Sequence, residues 1–160
     1  MRFTQFSTLV AFAVVACGGE KKSAASEAEA ATPAPANAPA AAAATEPAGA
    51  VVEVKMTGNG TSLAAFEPNK LTIKTGTTVR FINVSGGPHN VAFYADSIPK
   101  GAADALKKGM PNPMGDLTGP FVTQPNEKYD VSFVGAPAGL YKGYCMPHVA
   151  LGMHIAITVQ

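Results

Sequence analysis

Near the C-terminus, Tyr144-Cys145-Met146-Pro147-His148-Val149-Ala150-Leu151-Gly152-Met153 sets a thiol, an imidazole and a thioether at intervals of three and five residues. A second histidine, His89, lies far upstream in Gly87-Pro88-His89-Asn90-Val91. Taken singly, each has an ordinary explanation: a buried cysteine is usually inert, a lone methionine fills core, and a lone histidine is most often a surface or internally satisfied polar group. Cys-x-x-His alone fits half a zinc site or a thiol with a base beside it. The four together form a coherent ligand set. Zinc accepts it only in part, because a neutral thioether adds little for a metal that favours charged sulfur, imidazole or carboxylate. Copper suits it better, since two His and one Cys in a trigonal plane with a long axial Met are the donors of blue-copper electron-transfer centres. Thiolate stabilises Cu(II), while imidazole and thioether suit Cu(I). A site acceptable to both states rearranges little when an electron moves.

Such donors need a scaffold that brings distant segments together, and residues 51–160 read as strands. Short β-branched or alternating stretches recur between turn residues: Val51–Thr57, Lys70–Thr75, Thr78–Val84, Asn90–Phe93, Tyr129–Val134, Leu140–Cys145 and Met153–Val159. In the last, Met153, Ile155, Ile157 and Val159 share one face and His154, Ala156, Thr158 and Gln160 the other, the period of two of a half-buried strand. The pattern predicts an all-β fold, an antiparallel Greek-key β-sandwich. One short helix is expected at Ala102–Lys108, inside a long connection from Tyr94 to Pro120. Cys145, His148 and Met153 then stand in one loop between strands and His89 at the start of another strand. Adjacent strands lie about 5 Å apart, so such termini can converge on one ion.

The totals are consistent with this. The chain has 160 residues, 12 Lys+Arg against 11 Asp+Glu, a net charge of +1 and 14% charged side chains, which excludes a nucleic-acid-binding polycation and an acidic disordered tail. All four Tyr and all three His fall in residues 51–160. A segment of about 110 residues supports one domain with one core.

The beginning of the chain reads as an address. Arg2 precedes the apolar run Leu9–Ala16, which is too short to span a bilayer and ends in small residues, as a secretory signal does. Val14-Val15-Ala16-Cys17 resembles the lipobox of bacterial lipoproteins, which implies cleavage after residue 16 and a lipid anchor on Cys17. Two or more acyl chains on one residue give stable anchoring. From Glu20 to Ala50 there are 15 Ala and 4 Pro among 31 residues, and the prolines interrupt the helix that alanine would favour. The expected organisation is a lipoprotein signal peptide at 1–16, a lipidated Cys17 with a disordered Ala/Pro-rich tether at 17–50, and a folded domain at 51–160. With Cys17 committed to lipid, Cys145 has no partner for an intramolecular disulfide, and exported thiols are generally avoided or used.

Pro88-His89-Asn90-Val91-Ala92-Phe93, and Tyr141 to His148 with Gly152-Met153, resemble the two copper-binding segments of the plastocyanin and pseudoazurin type of blue copper protein, in the cupredoxin family. Phe66-Glu67-Pro68, Gly76 to Phe81, and Ile98-Pro99-Lys100-Gly101-Ala102 extend the likeness over 51–160. The resemblance implies a cupredoxin-like sandwich with one type 1 copper held by His89, Cys145, His148 and Met153. It implies that Asn90 points its backbone amide at the thiolate and ties the ligand loops together through its side chain. Pro147 is a second residue expected to orient the ligands. His148 would present its outer edge to solvent, and Met146, Pro147, Val149, Ala150 and Leu151 form an uncharged collar for electron transfer, with Tyr144 a second, remote route. The stretch containing Met110-Pro-Asn-Pro-Met114 has no counterpart in that pattern.

The implied function is that of a monomeric, membrane-tethered one-electron carrier, exported to the periplasm or cell surface. It would serve respiratory or photosynthetic redox proteins such as c-type cytochromes or copper-containing reductases and oxidases. An exported copper chaperone or storage protein is the alternative, suggested by Met110, Met114 and Met146. No enzyme is expected, because three histidines do not supply a second catalytic metal centre.

Overall fold

Alternation of apolar and polar side chains dictates the layers. The computed structural model describes residues 49–160, so the signal peptide, Cys17 and all but the last two residues of the expected tether lie outside the described residues. Within them the chain runs β1 (Val51–Gly58), β2 (Ala64–Glu67), β3 (Lys70–Ile73), β4 (Thr78–Asn83), β5 (Ala92–Phe93), α1 (Ala102–Gly109), β6 (Lys128–Ser132), β7 (Gly139–Tyr144), a 3-10 helix at Met146–Leu151, and β8 (His154–Val159). One four-stranded sheet has the order β2-β1-β4-β6 and the other β3-β8-β7-β5. Val79, Phe81 and Asn83 of β4 point inward, as do Ile155, Ile157 and Val159 of β8. Phe66 meets Phe81 edge to face at 5.8 Å, and Phe133 meets Phe93 at 6.2 Å and Tyr141 at 5.4 Å, geometry that aromatic quadrupoles favour.

The sandwich and the short helix match the sequence reading, with corrections in detail. The sheets are mixed rather than purely antiparallel: β1 runs parallel to β4, and β3 parallel to β8. Alternation reports which face is buried and carries no information on strand direction. Direction is set by the chain leaving one sheet for the other and returning beside an earlier strand. Strand β2 was represented in the expected set only by the Phe66-Glu67-Pro68 likeness. The expected strand Asn90–Phe93 shrinks to Ala92–Phe93, because the residues before it are held by a single bridge between His89 and Val122.

Helix α1 places Asp104 in its first turn and Lys107 and Lys108 in its last, the arrangement that complements the helix dipole. Its buried Ala102 and Leu106 seat it on the core, and the chain continues into buried Met110. At its end Gly109 passes so close to β6 that an added Cβ would run into the Ser132 carbonyl. Across β4 and β6, Arg80 Nε and Nη2 donate to the two carboxylate oxygens of Asp130, each at 2.8 Å, and this guanidinium holds the Asp130 carboxyl below its usual range.

The close approach at Gly109 yields a prediction. Gly109→Ala forces α1 away from β6 and lowers unfolding free energy by about 1–3 kcal/mol, as overpacking does, measured by denaturant titration. An unchanged midpoint would show that the helix end yields freely.

Candidate metal centre

Strand β7 ends at Tyr144 and β8 begins at His154, so the two strands fix both ends of the loop that carries Cys145, His148 and Met153. Cys145 N–H donates to the Met153 carbonyl (3.1 Å), His148 N–H to the Cys145 carbonyl (3.1 Å) and Met153 N–H to the His148 carbonyl (3.3 Å). Three of the predicted positions are thus laced by backbone hydrogen bonds. Pro147 stands at the start of the 3-10 helix, where its missing N–H costs no bond, and Gly152 closes it at φ 80° with its N–H on the Val149 carbonyl (3.0 Å). Met153 is fully buried.

His89 arrives from the other side. Its N–H donates to the Val122 carbonyl (3.0 Å) and its carbonyl accepts from Val122 N–H (2.8 Å). Its Nε2 lies 2.9 Å from the Ser85 carbonyl. A carbonyl only accepts, so Nε2 carries the hydrogen and Nδ1 is left with a free lone pair. That Nδ1 faces Cys145 Sγ at 3.7 Å, and His148 Nδ1 faces the same sulfur at 3.4 Å. All three donor atoms lie within 4.8 Å of one another. The imidazole planes are inclined at 55°, with centroids 4.7 Å apart.

These separations are those of ligands sharing one ion. With the bond lengths tabulated for zinc and an angle of 110–120°, thiolate sulfur and imidazole nitrogen sit roughly 3.6 Å apart. Neither histidine has a carboxylate partner among the described residues, and His89 and Cys145 are wholly buried while His148 is 8% exposed. Among the described residues this is the one such cluster. Buried lone pairs directed at a common point, with a thioether residue adjoining, fit copper as the donor set required.

Asn90 joins the two halves. Its N–H points at Cys145 Sγ (3.5 Å), its Oδ1 accepts from Met146 N–H (2.8 Å) and its Nδ2 donates to the Gly119 carbonyl (3.3 Å). Burial pushes the Cys145 thiol up, partly offset by the backbone N–H groups of Asn90 and His148. Burial, and then the neighbouring His89, pulls His148 down, which keeps its imidazole neutral and available for a metal at neutral pH.

Outside this cluster, Met146, Pro147, Val149, Ala150 and Leu151 are all exposed and form an uncharged rim. Half-buried Tyr144 stacks on Tyr94 with centroids 4.4 Å apart, and Tyr94 Oη lies 3.4 Å from His154 Nδ1. Tyr94, and the backbone groups of Ser85, Gly119 and Val122, escaped the sequence reading. Carbonyls carry no side-chain signature, and the approach of the long connection to His89 is visible only in space. That connection returns as Leu117, Gly119 and Val122, whose backbone groups pair with Phe93, Val91 and His89.

A buried cysteine sulfur flanked by two imidazoles at one end of a two-sheet sandwich defines the chain as a mononuclear copper protein of the cupredoxin class. Residues 52–160 match the family described as copper binding proteins, plastocyanin/azurin family. Plastocyanin of Vicia faba is 41% identical over 109 residues, covering 68% of this chain and 100% of its own. That of Scenedesmus fuscus is 38% identical over 110 residues, covering 68% and 99%, and that of Nostoc punctiforme 38% over 109 residues, covering 68% and 73%. The solved structure of oxidized plastocyanin from Dryopteris crassirhizoma superposes with a TM-score of 0.53 over 68% of this chain and all of that one, at 24% identity, in agreement on the fold. The chain belongs to the plastocyanin/azurin family of copper-binding proteins. It is a copper electron carrier and not an enzyme.

The depressed His148 fixes a pH dependence of the metal-free domain. Because the folded state resists protonation there, the unfolded chain takes up the proton first, near its ordinary value of about 6.5. Stability is therefore complete above that pH and is lost progressively as pH falls from it through the lower folded-state value. Thermal melts between pH 8 and 5 should show this decline, and His148→Gln should flatten it. An equal slope in the variant would place its origin elsewhere.

Proposed function

We propose that the chain is a membrane-tethered carrier of single electrons whose copper is held by His89, Cys145, His148 and Met153. The observation carrying this reading is the convergence of two imidazole Nδ1 atoms on one buried sulfur, 3.7 and 3.4 Å away. Bound there, the metal gains and loses one electron by cycling between Cu(I) and Cu(II). Backbone hydrogen bonds within Cys145–Met153 and on both sides of His89 would hold the donors in place through the change. Cys145 would supply the thiolate and the electronic coupling, His89 the fixed inner imidazole and Met153 a weak thioether that tunes the potential, while Asn90 and Pro147 would keep the ligand loop in place.

Electrons pass at the His148 end. Exposed Met146, Val149 and Leu151 offer an apolar contact without charge, suited to the small, short-lived encounters of redox partners. Such partners are c-type cytochromes or copper-containing reductases and oxidases, with Tyr144 a second way out. In this reading residues 1–16 direct export, Cys17 carries lipid, and 17–50 let the domain at 51–160 reach partners in the periplasm or at the cell surface as a monomer. A copper chaperone would want a set of exposed, exchangeable thioethers; Met114 and Met146 are exposed, but Met110 is only 2% exposed within the core.

Two outcomes are expected. The Cu(II) protein should show an intense visible sulfur-to-copper charge-transfer band that Cys145→Ser abolishes; a colourless wild-type copper complex would sink the ligand assignment. In bacterial fractionation the full chain should partition with membranes, and Cys17→Ser should move it to the soluble exported fraction. Identical partitioning of both would remove the anchor.

A further inference from the structure

Asn83 ends β4 with its side chain turned into the protein, 2% exposed, close to the His89 loop rather than in it. Its Nδ2 donates to the Val122 carbonyl at 3.3 Å, the same oxygen that accepts His89 N–H at 3.0 Å. Its backbone is pinned on both sides: Asn83 N–H donates to the Glu127 carbonyl (2.9 Å) and its own carbonyl accepts from Asn126 N–H (2.7 Å). The turn Ser85 to Pro88 folds over this amide so closely that an added Cβ on Gly87 would stand 2.8 Å from Nδ2. That turn delivers the Ser85 carbonyl to His89 Nε2. One carboxamide therefore underlies both attachments of the histidine, the backbone pair with Val122 and the ring bond to Ser85.

The amide is an expensive choice if it serves stability alone. Asn83 Oδ1 is buried and has no hydrogen-bond partner among the described residues, and a buried carbonyl without a partner costs about 1–3 kcal/mol. An apolar residue of similar size would avoid that penalty. What it would lose is the second donor on Val122 and the polar seat under Gly87.

The geometry points to Asn83 as a positioning residue for the metal centre, fixing the backbone and ring of His89 and thereby setting the donor strength of its Nδ1. The inference rests on His89 being a copper ligand. It predicts a sign. The Nε2–H bond to Ser85 makes the imidazole a better electron donor, which favours Cu(II). Loosening the seat weakens that bond and raises the reduction potential.

The test uses Asn83→Ala, the near-isosteric Asn83→Asp and Gly87→Ala, which presses a methyl onto the amide from the other side. In the metal-free protein, hydrogen exchange at His89 N–H should accelerate about tenfold or more relative to the core amides of Phe81 and Val131. In the copper protein the potential should rise and the charge-transfer band shift. Gly109→Ala, distant from the centre, should lower stability while leaving band, potential and relative His89 exchange as in wild type. Should the Asn83 variants fail to fold, Gly87→Ala decides. Wild-type relative exchange and potential in whichever folded variants remain would reduce Asn83 to a packing residue and overturn the inference. A wild-type protein without the band would instead strike the ligand reading, and altered His89 exchange in the metal-free variants would still stand.

Discussion

The contact on which the centre depends is the one Asn90 makes across two loops. Its backbone N–H meets the Cys145 sulfur and its side-chain oxygen holds Met146 N–H, so the residue after His89 fixes the residue after Cys145. The sulfur of a buried thiol resists ionisation, and an N–H directed at it lowers that resistance. The same contact therefore favours the charged form a metal needs and keeps the loop from drifting. Without it, the direct approach of His89 Nδ1 to the Cys145 sulfur would be the remaining link between the two loops at the centre.

The sandwich explains why the centre sits where it does. The side chains of His89, Cys145 and His148 meet, with Met153 closing the same loop through its backbone, because β5, β7 and β8 are neighbours in one sheet and their ends deliver loops to one edge. The Leu117 to Val122 return closes the remaining side by pairing with Val91, Phe93 and His89. A metal seated among strands with fixed registers cannot readily change its coordination. For a carrier that must react quickly in both oxidation states, small rearrangement matters more than tight grip. Backbone hydrogen bonds within Cys145–Met153 supply that stiffness using groups already obliged to find partners.

Much of this was legible in the residues. The Cys-x-x-His-x4-Met spacing named its own chemistry because few metals accept thiolate, imidazole and thioether together, and the alternation in β4 and β8 named the core face. The resemblance around Phe66 hinted at β2, which its short length hid from periodicity. Strand direction was not legible, since side-chain period is the same in parallel and antiparallel pairs. Nor were the roles of Ser85, Gly119 and Val122, which act through main-chain carbonyls that every residue possesses. Asn83 ends a strand in a buried position, where its polarity contradicts the pattern of β4. Such a local contradiction is the trace a functional constraint leaves in sequence, and reading it required knowing what the amide touches.

The two histidines are unequal, and the inequality divides their labour. His89 is wholly buried, with backbone and ring both tied and its tautomer set by Ser85. His148 keeps a small exposed edge, and no hydrogen bond ties its Nε2 to the described residues. An imidazole locked on every side preserves geometry but gives a partner nothing to touch. One held only through its backbone and the sulfur side can face a partner while its inner nitrogen stays in place. The rim of Met146, Val149 and Leu151 completes the asymmetry by excluding water around that edge without charge that would prolong an encounter. In the proposed carrier, rigidity is thus invested at His89 and access at His148, with the Cys145 sulfur lying between them.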